Sequence, residues 1–207
     1  MSEQLKVKTM QEFMAEGKQP EILFWVGSAG SYDDRAKKIT RAFVKLLNKA
    51  EVDFAVLGTE ESSTGDLAKR AGNEFLFQMQ AMMNIELLNG YEIKRIVTCD
   101  PHSFNTLKNE YPGLGGNYDV VHHTQYLKEL IDQGRLTVKG EGYKGKRITF
   151  HDPCYLGRAN SVYEAPRIAL QNQRGIGGDE TAQKNSLVLW GRRCPNVQRT
   201  GKRGYGH

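Results

Sequence analysis

The sequence predicts an α/β protein of two pseudo-repeated halves, each a mostly parallel sheet with flanking helices, the second half incomplete. Short apolar runs alternate with longer stretches of helical periodicity, the pattern of a parallel, doubly wound sheet. Leu23-Phe24-Trp25-Val26-Gly27-Ser28 reads as strand, break, then helix, and Ile148-Thr149-Phe150-His151-Asp152-Pro153-Cys154 reads the same way. Laid over each other, Phe24 matches Phe150, Gly27 matches Pro153 and Ser28 falls on Cys154. Each half thus presents one residue at the C-terminal end of a strand, where open α/β sheets carry their chemistry.

Residues 1–20 are polar and mixed in charge, a loose or helical lead-in. Glu21 to Gly27 is a continuous apolar run of the length of a buried parallel strand. Ser31, Asp33 and Asp34 can cap the next helix and favour its positive end. That helix carries Ala36, Ile39, Phe43, Leu46, Leu47 and Ala50 on a single stripe expected to be buried. Asp53 to Gly58 is a second strand, and the loop from Thr59 to Asp66 leads into one long helix through about Leu88. On it, Phe75, Phe77, Met79, Met82 and Met83 read as gap-filling core. Arg95 to Thr98 is a third strand, followed by Cys99-Asp100-Pro101-His102-Ser103 and a short helix from Phe104 to Tyr111. Tyr118 to His123 is a fourth strand and Thr124 to Gln133 its helix. These elements make a first half over residues 21–140. Residues 141–167 open the second half with a strand from Arg147 to His151. There Pro153 fixes its own φ and pushes Asp152 out of the helical region, which sets Cys154 at the strand end.

Composition excludes several classes. Hydrophobic content of 39% and charged content of 26% are ordinary for a globular domain of 207 residues. The N-terminus lacks the apolar core of a signal peptide, and no run is long enough to span a bilayer. Three cysteines, Cys99, Cys154 and Cys194, make no disulfide framework and suit a reducing, cytoplasmic setting. The net charge of +5 arises entirely after residue 167, where seven Lys/Arg meet two Asp/Glu; residues 1–167 hold 22 of each. A nucleic-acid face would be expected on the folded body, so nucleic acid is not the expected partner. Residues 168–207 are basic, hold seven glycines and show no periodicity, as a disordered tail would.

Several polar groups compete for attention. His151 flanks Cys154, or is a strand-end histidine satisfied by a backbone carbonyl. His122-His123 suggests a metal, but neighbours on a strand point to opposite faces and cannot easily share one ion. Cys99, Asp100 and His102 are zinc-ligand types, although consecutive positions chelate poorly. Glu60-Glu61 reads as a solvated loop pair rather than catalytic carboxylates. Gly27 to Ser31 has the look of a phosphate-binding turn without the G-x-G-x-x-G spacing or a Lys-Ser/Thr ending.

Six blocks in order resemble one family: FWVGSAGSYDDRAKKITRAFV, AVLGTEES, GNEFLFQMQAMMNIE, PHSFNTLKNEYP, VVHHTQYL and HDPCYLGRAN. Over roughly residues 20–167 the chain is similar to the cysteine-rich (CCG) domain iron–sulfur proteins. These are relatives of the heterodisulfide reductase B subunit and of the iron–sulfur subunits of glycolate and lactate oxidation. The resemblance implies an electron-transfer component of an oxidoreductase, with redox subunits of ferredoxin-like or flavoprotein type as partners. It also implies a [4Fe–4S] cluster held by cysteines in a C…CCG…CxxC pattern. The carried-over ligands are eroded: Ser28 and Ser63 stand where relatives show cysteine. The CPHC-like stretch reads Asp100-Pro101-His102-Ser103, with Cys99 displaced by one position. Serine is a poor cluster ligand because iron–sulfur sites take soft thiolates. Cys154, within HDPC, is the retained cofactor and metal ligand, and Cys99 is the nearest thiol to the first-half site. The cluster is not expected to assemble on this chain.

The CCG segment that should follow HDPC is absent. Codons that allow Val188 to Arg199 can also be read one nucleotide late as Cys-Cys-Gly-Ala-Gly-Gly-Ala-Gln-Met-Phe-Lys-Glu, a segment of that kind. A frameshift near residue 167 is the expectation, with Cys194 an accident of the wrong frame. Two other functions stay open: a cluster-free α/β module that docks to redox subunits, and a nucleotide- or metabolite-binding domain using the Gly27–Ser31 turn.

Overall fold

The computed structural model describes residues 5–138 and 150–171. Five parallel strands form one sheet in the order β1-β3-β2-β4-β5: β1 (Lys8–Thr9), β2 (Ile22–Trp25), β3 (Phe54–Val56), β4 (Arg95–Thr98) and β5 (Asp119–His122). Leu23 pairs with Ala55 on one side and Ile96 on the other, and Val97 pairs with Val121, which makes β2 and β4 the central strands. The α/β class and parallel sheet read from the sequence are present. The two-residue strand β1 was not anticipated, because Lys8 and Thr9 carry no apolar signal. It is a short edge strand beside β3.

Alternation along the strands divides the core between the two faces of the sheet. Ile22 and Phe24 join Phe43, Val44, Leu47, Phe54, Val97 and Tyr126 on one face. Leu23 and Trp25 join Phe77, Leu88, Ile96, Phe104 and Tyr111 on the other. The first face is covered by α3 (Asp34–Lys49) and α7 (His123–Asp132), the second by α5 (Glu74–Gly90) and α6 (Pro101–Asn105). The short helices α1 (Met10–Ala15), α2 (Gly27–Tyr32) and α4 (Asp66–Arg70) fill the connections.

Asp33 caps α3 as expected, its carboxylate accepting from the amides of Arg35 and Ala36. The stripe of α3 is narrower than read, since Ile39 is exposed while Val44 is buried. The long helix expected through Leu88 is two helices. Gly72, at φ +83°, and Asn73, whose side chain accepts from the Leu76 amide, end α4 and start α5. Only Phe77 of the five residues read as core on α5 is buried. Phe75, Met79, Met82 and Met83 are exposed, Phe75 by 76%. α5 has two apolar faces, and the one through Phe77, Ala81, Ile85 and Leu88 meets the sheet.

The strand expected over residues 147–151 falls outside the described residues as far as 149, and Phe150 and His151 have no strand pairing. Residues 150–171 pack on the body through α8 (Gly157–Asn160) and α9 (Glu164–Gln171), with Leu156 and Val162 in the core beside α5 and α6. The tail from 172 onward, Cys194 included, lies outside the described residues.

Candidate functional site: the DPHS turn and the HDPCY segment

β4 ends in Thr98, and the chain turns at Cys99 and Asp100 into α6. Asp100 accepts from the amides of His102 and Ser103, at 3.1 and 3.0 Å, and from the Ser103 hydroxyl at 2.7 Å. With Pro101 at the first helical position, this is a complete helix start. The cap leaves both Asp100 oxygens and the Ser103 hydroxyl engaged, so neither residue is a ready metal donor.

His102 projects from that turn to a buried carboxylate. Its Nδ1 lies 2.8 Å from Asp66 Oδ2, and Asp66 also accepts from Arg70 Nε at 3.1 Å and the Thr106 hydroxyl at 3.3 Å. Burial alone would raise the Asp66 carboxyl, but the His102 and Arg70 contacts outweigh it and hold it below the usual range. The same hydrogen bond raises the His102 imidazole above its ordinary value, against the effect of burial. Arg70 continues into a contact with Glu110, which Lys69 also pairs at 3.2 Å.

The HDPCY segment lands on this network. The Tyr155 ring packs edge-on to His102 at 4.7 Å and lies 5.6 Å from the Arg70 guanidinium. Asn160 donates to Asn105 at 3.1 Å and to the Tyr155 carbonyl, and accepts from Asn109 at 2.9 Å. Asp152 is 6% exposed and pairs with Arg167 at 2.6 Å, which ties the segment to α9. A tight turn follows, with the amides of Leu156 and Gly157 both donating to the Pro153 carbonyl. A Cβ on Gly157 would sit 2.5 Å from the Tyr163 ring, so a larger residue here would displace that ring. Cys154 stands at the start of that turn, half-buried and unpaired. His151, beside it, is exposed.

The DPHS turn and the HDPCY segment therefore meet through His102 and Tyr155. Cys99 does not join them. It packs with Val97 and Val121 on the opposite face of the sheet from Leu156, and burial pushes its thiol up to about 12. Ser28, in the first turn of α2, and Ser63, in the loop before α4, are exposed.

Three polar readings need correction. Glu61 is not solvated: its carboxylate accepts from the amides of Val26 and Gly27, at 2.9 and 2.5 Å. Burial pushes that carboxyl up to about 7 even though the two amides lower it. Glu60 accepts from the Tyr91 hydroxyl at 2.8 Å. The Glu61 clamp also occupies amides that a phosphate would need at the Gly27–Ser31 turn. His122 and His123, expected on opposite faces, have rings 4.2 Å apart because His122 ends β5 and His123 begins α7. Burial pushes them down to about 3 and about 4, so both are neutral. Sequence alone gave no signal for the Asp66–His102–Arg70 network, whose members lie up to 36 residues apart.

Donor chemistry limits what this arrangement holds. Among the described residues no three His, Cys, Asp or Glu side chains are placed to hold a metal ion. A cubane cluster takes four thiolates, and the whole chain has three cysteines, of which Cys99 packs in the core on the face opposite Leu156. The residues present do not fit a complete four-cysteine site.

The parallel sheet was expected from the sequence, whereas the packing of the HDPC segment across the DPHS turn at its end was not. Residues 22–108 match the cysteine-rich domain (CCG) family, and the homologues of the chain are iron–sulfur oxidoreductases. Among them, the probable iron-sulfur-binding oxidoreductase FadF of Bacillus subtilis is 49% identical over 83% of this chain and 24% of its own length. The EtfAB:quinone oxidoreductase of Syntrophomonas wolfei is 46% identical over 82% of this chain and 24% of its own. A polypeptide of the dihydromethanophenazine:CoB--CoM heterodisulfide reductase of Methanosarcina barkeri is 32% identical over 75% of this chain and 39% of its own. The chain spans about a quarter of the length of the first two relatives. No solved structure matches it significantly. No helix among the described residues is long and apolar enough to cross a membrane.

Proposed function

We infer that this chain is the cysteine-rich module of an iron–sulfur electron-transfer oxidoreductase, with Cys154 as its retained ligand and cluster assembly impaired. The observation that carries this is the HDPCY segment docked on the His102–Asp66–Arg70 network, in a chain similar to iron–sulfur oxidoreductases throughout that region. A [4Fe–4S] cluster is the family expectation, and when bound it would supply one-electron transfer. The chain's own residues do the positioning: Asp152 and Arg167 anchor the turn, and Gly157 lets it close on Tyr163. Cys154 supplies one soft donor. Cys99, with its raised thiol and its place in the core on the face opposite Leu156, is the weaker candidate.

Anaerobic reconstitution with iron and sulfide, followed by iron and sulfide quantification, tests this. The expected result is well under one cluster per chain, with Cys154→Ser abolishing what iron is bound and Cys99→Ser leaving it unchanged. A full complement of four irons per chain would overturn the impairment. Equal loading of wild type and Cys154→Ser would overturn the ligand assignment.

A second reading, a cluster-free module docking to ferredoxin-like or flavoprotein subunits, is favoured by one feature. α5 exposes Phe75, Met79, Met82 and Met83 along a single side, and Leu67 on α4 is also exposed. Contiguous apolar surface on a folded domain marks contact sites, and thioethers adapt to varied partners.

A further inference from the structure

α3 buries one stripe and exposes another. Phe43, Val44 and Leu47 face the sheet. On the opposite side Arg35, Lys38, Arg41, Lys45 and Lys49 recur at three- and four-residue steps, all of them exposed. At 1.5 Å per residue they form a straight basic ridge about 21 Å long. Asp34 is the one acid on the helix, and Lys37 takes it at 3.3 Å.

The ridge is not neutralised within the fold. None of its five cations makes an ion pair among the described residues. Cations elsewhere do: Arg95 pairs with Asp119 and Glu129, Arg135 with Glu21, and Arg167 with Asp152. Arg41–Lys45 and Lys45–Lys49 are moreover like charges one turn apart, which destabilises a helix. Residues 1–167 hold equal numbers of basic and acidic side chains, so the ridge is a local concentration on a neutral body. A local rule broken without compensation inside the fold marks a functional surface.

Both ends of the ridge are acidic. Asp33 and Asp34 stand exposed at its start, and Glu51 and Asp53 just past its end. A bilayer or a nucleic-acid duplex would carry its phosphates past both ends and against those carboxylates. Interfacial membrane helices also offer Trp, Phe or Leu to the lipid, whereas the apolar stripe of α3 is spent on the sheet. A protein surface can stop where the ridge stops. We propose that the α3 ridge docks an acidic helix of a protein partner, with carboxylates at three- and four-residue steps facing Lys38, Arg41, Lys45 and Lys49. Charge complementarity of this kind sets encounter rate and choice of partner more than raw affinity. The ridge lies across the sheet from α5 and its exposed apolar side, and it needs no iron.

The probe is a stapled helical peptide of about four turns, labelled with a fluorophore, whose glutamates form one row at those steps. The full chain is titrated into it at low ionic strength, where exposed charges are least screened. A peptide of the same composition with its glutamates spread around the helix, phosphatidylserine vesicles and a DNA duplex serve as comparisons. Lys38→Glu/Lys45→Glu reverses two ridge charges, and Lys94→Glu/Arg158→Glu makes the same change at exposed sites off α3. Both variants keep the basic residues beyond 167. The ridge variant is expected to weaken the row peptide about tenfold or more, through two lost ion pairs and two new repulsions. Its melting temperature should not fall, because like-charge neighbours on α3 become opposite pairs. The control variant is expected to weaken the peptide far less. Absence of binding overturns the proposal, as does equal weakening by the two variants, which would mean that only net charge counts. Equal affinity for the spread peptide overturns the acidic helix. Vesicle or duplex binding that falls as far on the ridge variant overturns the protein partner in favour of a phosphate surface.

Discussion

His122 and His123 show how burial sets chemistry at single residues. His122 is 3% exposed, and His123 packs edge-on to Phe43. Both are held neutral, at about 3 and about 4, below an unfolded value of 6.5. Between those limits the unfolded chain binds more protons than the folded one, so stability is full above about pH 6.5 and falls as pH drops. Each histidine can withdraw up to about 2 kcal/mol between pH 6.5 and 5. Glu61 and His102 are shifted upward and act in the opposite sense over overlapping ranges. The informative quantity is therefore the difference between wild type and a His122→Gln/His123→Gln variant. Urea unfolding should show wild type losing stability from pH 7 to pH 5 relative to that variant; parallel profiles would refute the buried neutral pair. The sequence could not show this environment, because adjacency on a strand implies opposite faces. The strand-to-helix junction falls between the two residues and swings the rings together.

α5 makes the corresponding point for an element. Its spacing is helical on two sides, Phe75, Met79, Met82 and Met83 along one and Phe77, Ala81, Ile85 and Leu88 along the other. Periodicity establishes the helix but cannot choose between two apolar faces; only the sheet beneath decides. Gly65 confirms which face won: at φ +84°, it would set a Cβ 2.8 Å from the Phe77 ring. Phe77→Ala is expected to cost about 3–5 kcal/mol, as for a buried ring, whereas Phe75→Ala should stay within about 0.5 kcal/mol, as for exposed positions. Chemical denaturation of the two variants measures the contrast, and equal losses would mean that the outer face is covered in solution. A central strand was legible for the opposite reason. Ile22–Trp25 is short and buried on both faces, so its continuous apolar run left no choice to make. Lys8–Thr9 pairs only at an edge, and nothing in its side chains records that.

Across the whole molecule, the decisive feature is how residues 150–171 are fixed to a sheet they do not extend. Two polar attachments hold them, Tyr155 on His102 and Arg70 and Asn160 within the Asn105–Asn109 amide cluster, while inside the segment the Asp152–Arg167 pair joins the turn to α9, which packs on α7. The sequence marked both ends of this contact, the DPHS turn and HDPCY, but not the contact itself, since Asp66 and Arg70 come from a helix that precedes both. The Asp152–Arg167 pair is the most buried link, with Arg167 side-chain exposure of 18% and Asp152 of 6%. Removing one member of such a pair leaves an uncompensated charge and costs about 3–5 kcal/mol, while replacing both can be nearly neutral. Arg167→Met should therefore loosen the segment and speed Cys154 alkylation by iodoacetamide about tenfold or more, the order a local opening energy of this size allows. Amide exchange in β2 and β4 should stay slow, because those strands keep their own core. Adding Asp152→Asn to Arg167→Met should recover much of the protection. If the single variant leaves Cys154 reactivity unchanged, the ion pair does not hold the turn; if it speeds exchange across β2 and β4 equally, the segment and the sheet open as one cooperative unit.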